Sequence, residues 1–291
     1  MQRGRFSALM MGFMSVTMAI TAHAASFDCQ QAATAIEQAI CENPAANALD
    51  EQVGDLYAQL LNALPQAKAA ELKAEQDEWL TQRNQACAQP DENLSACLLS
   101  QMKARSAALA SQLFYPDGSR QLSFYAALPG EQGRIEVFGW QEEESSDEPY
   151  IEKYAIAMPS ASGSAQTMEG ETNDPVVDAQ LTDLNHDGQR EALLITEALG
   201  SGSYGNILLL TGQAPPLTIY TLPALTDEQG QGYRGADHFF VNEANALIRE
   251  YPLYNEKDAN VNPTGGMMRV IYRFDPAQGG FAVEQATKLP E

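Results

Sequence analysis

Basic residues are scarce in this chain. Seventeen lysines and arginines stand against 39 aspartates and glutamates over 291 residues, a formal net charge of −22. Such a chain repels phosphate backbones and anionic lipid headgroups, which argues against nucleic-acid and membrane-surface binding and leaves cationic proteins as the partners it attracts. The same acidity also serves plain solubility. Histidine is rarer still, with three residues in all. There is no G-x-S-x-G elbow, no H-E-x-x-H pair and no phosphate-binding loop, and acidic residues are too numerous to single out a glycosidase pair. No catalytic residue is nominated, no cofactor or metal is expected, and the chain reads as a non-enzyme.

Long apolar runs are also missing, except at the N-terminus. Arg3 and Arg5 precede the apolar stretch Phe6–Ile20, which ends at Ala22-His23-Ala24. This is the pattern of a secretory signal peptide over residues 1–24, too short for a membrane anchor. Only four cysteines are present: Cys29, Cys41, Cys87 and Cys97. None sits at the cleavage junction to take a lipid. In an exported protein they read as two disulfides, with three connectivities open.

Residues 25–113 are alanine-rich and helical in pattern. Leu49, Val53, Leu56, Tyr57, Leu60, Leu61 and Leu64 recur at spacings of three and four, one face of an amphipathic helix. Asn47 is the expected N-cap. Pro65 ends that helix, a second runs to about Ala86, and Leu94, Leu98, Met102 and Leu109 mark a third. An antiparallel hairpin of the two longer helices would bring Cys87 back beside Cys41, which favours Cys41–Cys87 with Cys29–Cys97. Trp79 and Arg83 share a helical face; the simpler reading makes Trp79 core and Arg83 its solvated lid, the other a binding surface.

The segment 26–113 resembles the LprI-type lysozyme-inhibitor domain. The resemblance rests on SFDC at Ser26–Cys29, IEQAIC at Ile36–Cys41, Leu49-Asp50, Tyr57, QDEWLTQRNQAC at Gln76–Cys87 and Cys97-Leu98. Met102 departs from it, where an aromatic is more usual.

From residue 114 onward strand signals replace the helical period: Arg120–Ala127, Gly133–Trp140, Tyr150–Met158, Leu217–Leu222, His238–Asn242, Ala246–Glu250, Met267–Phe274 and Phe281–Gln285. Residues 142–148 and 160–173 read as polar loops. The centre of this half is Leu193–Leu210, two apolar runs around a glycine-serine loop that carries one tyrosine, Tyr204. Its glycines can take positive φ or admit a close backbone. Tyr204 is either a presented anchor or the first core residue of the second strand. The fold class expected is α+β in two domains: a small disulfide-stapled helical domain, 25–113, then an antiparallel β-sandwich-like domain, 114–291.

The loop Leu199–Gly205 resembles that of the periplasmic inhibitors of invertebrate-type lysozyme (PliI), with weaker similarity over about 115–285. In that family a serine and a tyrosine three positions later enter the lysozyme cleft. The matching residues here are Ser201 and Tyr204, and the resemblance implies a lysozyme-binding loop of Ser201, Gly202, Ser203, Tyr204 and Gly205. Together the two resemblances imply a periplasmic lysozyme inhibitor that occludes the active-site cleft. The alternative is a periplasmic module that binds glycan or an envelope protein and inhibits nothing. Asp183-Leu184-Asn185-His186-Asp187-Gly188, with Glu191 following, has the start of a calcium loop but not the twelfth-position glutamate of an EF-hand. An ordinary turn held by its own Asx side chains is the favoured reading.

Overall fold

A computed structural model of the chain describes residues 26–89, 93–141, 151–159, 164–200, 202–212 and 214–289. The leader 1–24, the acidic segment 142–148 and Ser201 lie outside the described residues.

Among the described residues a short 3-10 turn, Cys29–Gln31, leads into four helices, α1 (Ala35–Glu42), α2 (Pro44–Ala63), α3 (Gln66–Cys87) and α4 (Leu94–Phe114). Thr34 and Glu37 form a capping box at the start of α1. Asn43 then ends α1 and caps α2, its side chain accepting from the N–H groups of Ala45 and Ala46. Asn47 is therefore not the cap. Pro44 lacks an N–H and its fixed φ suits the first helical position, so α2 starts a turn earlier. Val53, Leu56 and Leu60 of α2 pack with Leu72 of α3 and Leu98, Met102 and Leu109 of α4. Met102 is fully buried, so the departure from an aromatic is absorbed by a flexible side chain.

The disulfides are Cys29–Cys41 and Cys87–Cys97, with Cα separations of 5.8 and 5.5 Å. The pairing expected from a helical hairpin is wrong. Cys41 sits on α1, which the Asn43-Pro44 break sets apart from α2, so the α2–α3 hairpin does not carry it toward Cys87. Each bridge instead closes a short local connection, spanning 12 and 10 residues.

Three four-stranded antiparallel meanders follow. The first is β1 (Leu122–Gly130), β2 (Gly133–Gln141), β3 (Glu152–Met158) and β4 (Gln166–Thr172). The second is β5 (Val176–Thr182), β6 (Glu191–Glu197), β7 (Gly205–Thr211) and β8 (Thr218–Tyr220), and the third β9 (His238–Val241), β10 (Leu247–Pro252), β11 (Met267–Asp275) and β12 (Gly280–Leu289). Residues 166–172, expected to be loop, form the edge strand β4. It pairs on one side only and buries no residue fully, so its polar composition carries no strand pattern. The mixed helical and antiparallel-sheet class is as expected, with three sheets in the β half.

The sheets stack in layers because successive strand residues face opposite ways. In β2, Phe138 and Trp140 pack against the helices, while Ile135 and Val137 pack against the second sheet. In β6, Leu194 and Ala192 join the first sheet, and Leu193 joins the third. The order is helices, first sheet, second sheet, third sheet. The boundary expected at 113/114 falls at the end of α4, yet the core runs across it: Leu122, Tyr125, Phe138 and Ala155 share one cluster with the helices. Gln52 of α2 also completes the edge of β1, accepting from the Ala127 N–H at 2.7 Å and donating to the Tyr125 carbonyl at 3.3 Å. Reduction should therefore loosen the helical layer and the first sheet together, at about 3 kcal/mol per bridge. Non-reducing peptide mapping should find the 29–41 and 87–97 links; a 41–87 link would contradict this fold.

Candidate functional site

The β6–β7 connection, residues 198–204, lies at one end of the second sheet. Its mouth is closed by the Ala198 N–H donating to the Tyr204 carbonyl at 2.8 Å. Segment 233–237 holds it from one side. The Ala236 N–H donates to the carbonyls of Gly202 and Ser203, at 2.7 and 3.1 Å, and the Gly205 N–H donates to Asp237 Oδ2 at 2.8 Å. Ser203 and Ala236 both have left-handed backbone, with φ of 43° and 58°. Such strained conformations persist only where the surroundings fix them.

On this fixed loop Tyr204 is 47% exposed and Leu199 is 67% exposed. Tyr204 is therefore not buried as the first core residue of β7. Of the loop's glycines, Gly200 takes positive φ (133°). Gly202 serves another purpose, since a Cβ there would enter the Tyr204 ring. The ring thus lies over the loop's own backbone. Ser201 falls outside the described residues, so the geometry here concerns Gly202, Ser203, Tyr204 and Gly205.

Behind the loop lies a group with no short-range motif in the sequence. Tyr204 meets Tyr233 edge to face, with centroids 5.5 Å apart and rings at 79°; Tyr233 in turn meets Tyr251 at 4.7 Å and 69°. The Tyr233 hydroxyl donates to Asp237 and accepts from Arg249 Nη2. Arg249 Nε donates to Asp237 Oδ1 at 2.6 Å, and both side chains are essentially buried. The guanidinium is also ringed by Tyr233, Phe239 and Tyr251 at 5.2–5.5 Å. Burial alone would lower the Arg249 pKa, but the Asp237 carboxylate outweighs it and raises the value. Burial, then the bond to Asp237, raises that of Tyr233. The guanidinium stays charged and the phenol protonated, which is the state this network needs.

At the opposite end of the same sheet, the β5–β6 turn gathers Asp183, Asp187 and Glu191, whose carboxylate oxygens lie within 4.8 Å of one another. These are the residues that could hold a cation. The turn is also tied by its own side chains: Asp183 accepts from the Asp187 and Gly188 N–H groups, and Asn185 from Asp187. Glu191 is buried and accepts from the Leu184 N–H at 2.9 Å. A cavity of about 320 Å³ opens beside it, lined by Ile135, Met158, Leu181 and Arg190 among others. On the helices, Arg83 is not a solvated lid. It is buried, 5.0 Å from the Trp79 ring and 3.7 Å from Asp50.

Burial, then the charges of Asp183 and Asp187, raises the Glu191 pKa, against the Leu184 bond that lowers it. A carboxyl with a raised folded-state pKa gives its full stability below the unfolded value and loses it as pH climbs through the folded one. Wherever Glu191 is ionised in the folded chain, its charge is therefore a cost. Glu191→Gln keeps an acceptor for Leu184 and should raise the Tm in EDTA by about 2–4 °C, the shift of 1 kcal/mol in a chain of this size. Calcium should leave the wild-type Tm unchanged. A calcium-dependent rise that Asp187→Ala abolishes would contradict the turn reading.

No curated protein matches the chain. Residues 28–110, the helical layer with both disulfides, match the family model described as "Lysozyme inhibitor LprI".

Proposed function

We propose that this chain is an exported, periplasmic inhibitor of lysozyme that works by occlusion, with the loop Ser201–Gly205 entering the active-site cleft. The observation that carries the reading is Tyr204, half exposed on a loop whose backbone is held at its stem and from one side. A rigid amphipathic ring on a pre-formed loop loses little conformational freedom on binding, which is what makes an anchor strong. The family match at 28–110 supports lysozyme as the partner. A lysozyme cleft holds one carboxyl kept protonated and a second that is ionised; the Tyr204 and Ser201 hydroxyls are suited to bond both. The formal charge of −22 favours a cationic partner and raises the rate of encounter more than the strength of the complex. Cleavage of residues 1–24 would release the chain after export.

The matched residues form the helical layer and do not include Tyr204. That favours a second reading, in which the helical layer is itself the inhibitory surface and the sheets support it.

The mature protein is to be titrated against lysozymes of the chicken, goose and invertebrate types. Tyr204→Ala should weaken inhibition of the susceptible type by about 2 kcal/mol or more. Ser201→Ala should cost on the order of 1–2 kcal/mol, one hydrogen bond beside a charged or polarised group. The Tm of Tyr204→Ala should hardly move, because a half-exposed loop side chain leaves no cavity. Full inhibition by folded Tyr204→Ala would remove the loop from the mechanism and leave the helical layer.

A further inference from the structure

The Tyr204 ring has one aromatic neighbour among the described residues, Tyr233, and that neighbour is held unusually firmly. Its hydroxyl lies between the Asp237 carboxylate and the Arg249 guanidinium, and its ring lies against Tyr251, which is fully buried and donates to the Gln229 carbonyl at 2.9 Å. Asp237 meanwhile accepts from the Gly205 N–H at the base of the loop. One carboxylate thus fixes both the backbone that carries Tyr204 and the ring that backs it. No hydrogen bond to the Tyr204 hydroxyl occurs among the described residues, so the ring's direction depends on packing alone.

We infer that Tyr233 is a positioning residue of the inhibitory loop: its ring, locked by Asp237 and Arg249, holds Tyr204 over Gly202 in the orientation it uses on the partner. This rests on the loop-insertion reading above. An unsupported tyrosine on a glycine-rich loop would sample several rotamers and lose affinity by the fraction of time spent in the wrong ones. With the ring propped from one side and Gly202 beneath it, one orientation is selected before the partner arrives. The aromatic contact is edge to face, so what supports Tyr204 is the ring of Tyr233, and the hydroxyl serves only to lock that ring.

The test is a double-mutant cycle in the mature full chain, read as inhibition constants against the lysozyme type that the unmutated protein inhibits. Tyr233→Leu should weaken inhibition about tenfold, within the range of coupling between touching residues, and should add nothing further in a Tyr204→Ala background. Tyr233→Phe keeps the ring but not its tie to Asp237 and Arg249, and should lose less inhibition than Tyr233→Leu. An equal loss from Tyr233→Leu in both backgrounds would reduce Tyr233 to general support and overturn the inference. If Tyr204→Ala itself has no effect, the loop-insertion reading fails first, and the two failures are distinct. A measurement on the unmutated free protein does not depend on variants that fold. NMR should give Tyr204 a single χ1 rotamer with ring-to-ring Overhauser contacts to Tyr233. Rotamer-averaged couplings without those contacts would overturn the inference by themselves.

Discussion

Leu193 and Leu194 are neighbours in the chain and belong to different cores. Leu193 faces the third sheet, Leu194 the first, and both are completely buried. The architecture depends on this double burial of the central sheet. A sheet covered on one face alternates apolar and polar residues, whereas one covered on both reads as an unbroken apolar run. Each leucine removed from water contributes about 1.5–3 kcal/mol, and a shift of one residue in register would exchange the two faces of the strand. With β6 and β7 held in this way, the connection between them begins and ends at fixed points.

The loop follows from that constraint. Its mouth is closed at the strand ends, and segment 233–237 bonds the backbone of Gly202, Ser203 and Gly205. The clamp needs a buried carboxylate, and Asp237 is tolerated there only because Arg249 and Tyr233 satisfy it. Losing either charge would strand the other in a low-dielectric site, at about 3–5 kcal/mol. The proposed anchor is thus exposed because the polar groups behind it are buried and paired. The helical layer joins the same body through the first sheet, by a shared core and by the Gln52 amide along β1. Both candidate surfaces therefore move as one with the sheets between them.

Much of this was legible in the residues. The helical face of α2, the apolar runs of β6 and β7, and the glycine-serine connection all follow from periodicity and turn chemistry. The first failure concerned topology. A hairpin of the long helices would pair Cys41 with Cys87, but a single Asn-Pro step makes α1 a separate element. β4 escaped because an edge strand satisfies its backbone on one side and buries no residue fully. The support behind Tyr204 was invisible for a different reason. Tyr233, Asp237 and Arg249 act through space across two loops and a strand, and no spacing along the chain encodes a bond between residues brought together by the third sheet.

We propose the β6–β7 loop as the surface that meets lysozyme. Hydrogen exchange on the mature protein, alone and saturated with the lysozyme it inhibits, tests that claim most directly. Amide protection should rise in residues 198–206 and 233–237, with the helices 35–114 unchanged. Protection confined to the helices, with the loop exchanging as in the free protein, would contradict it.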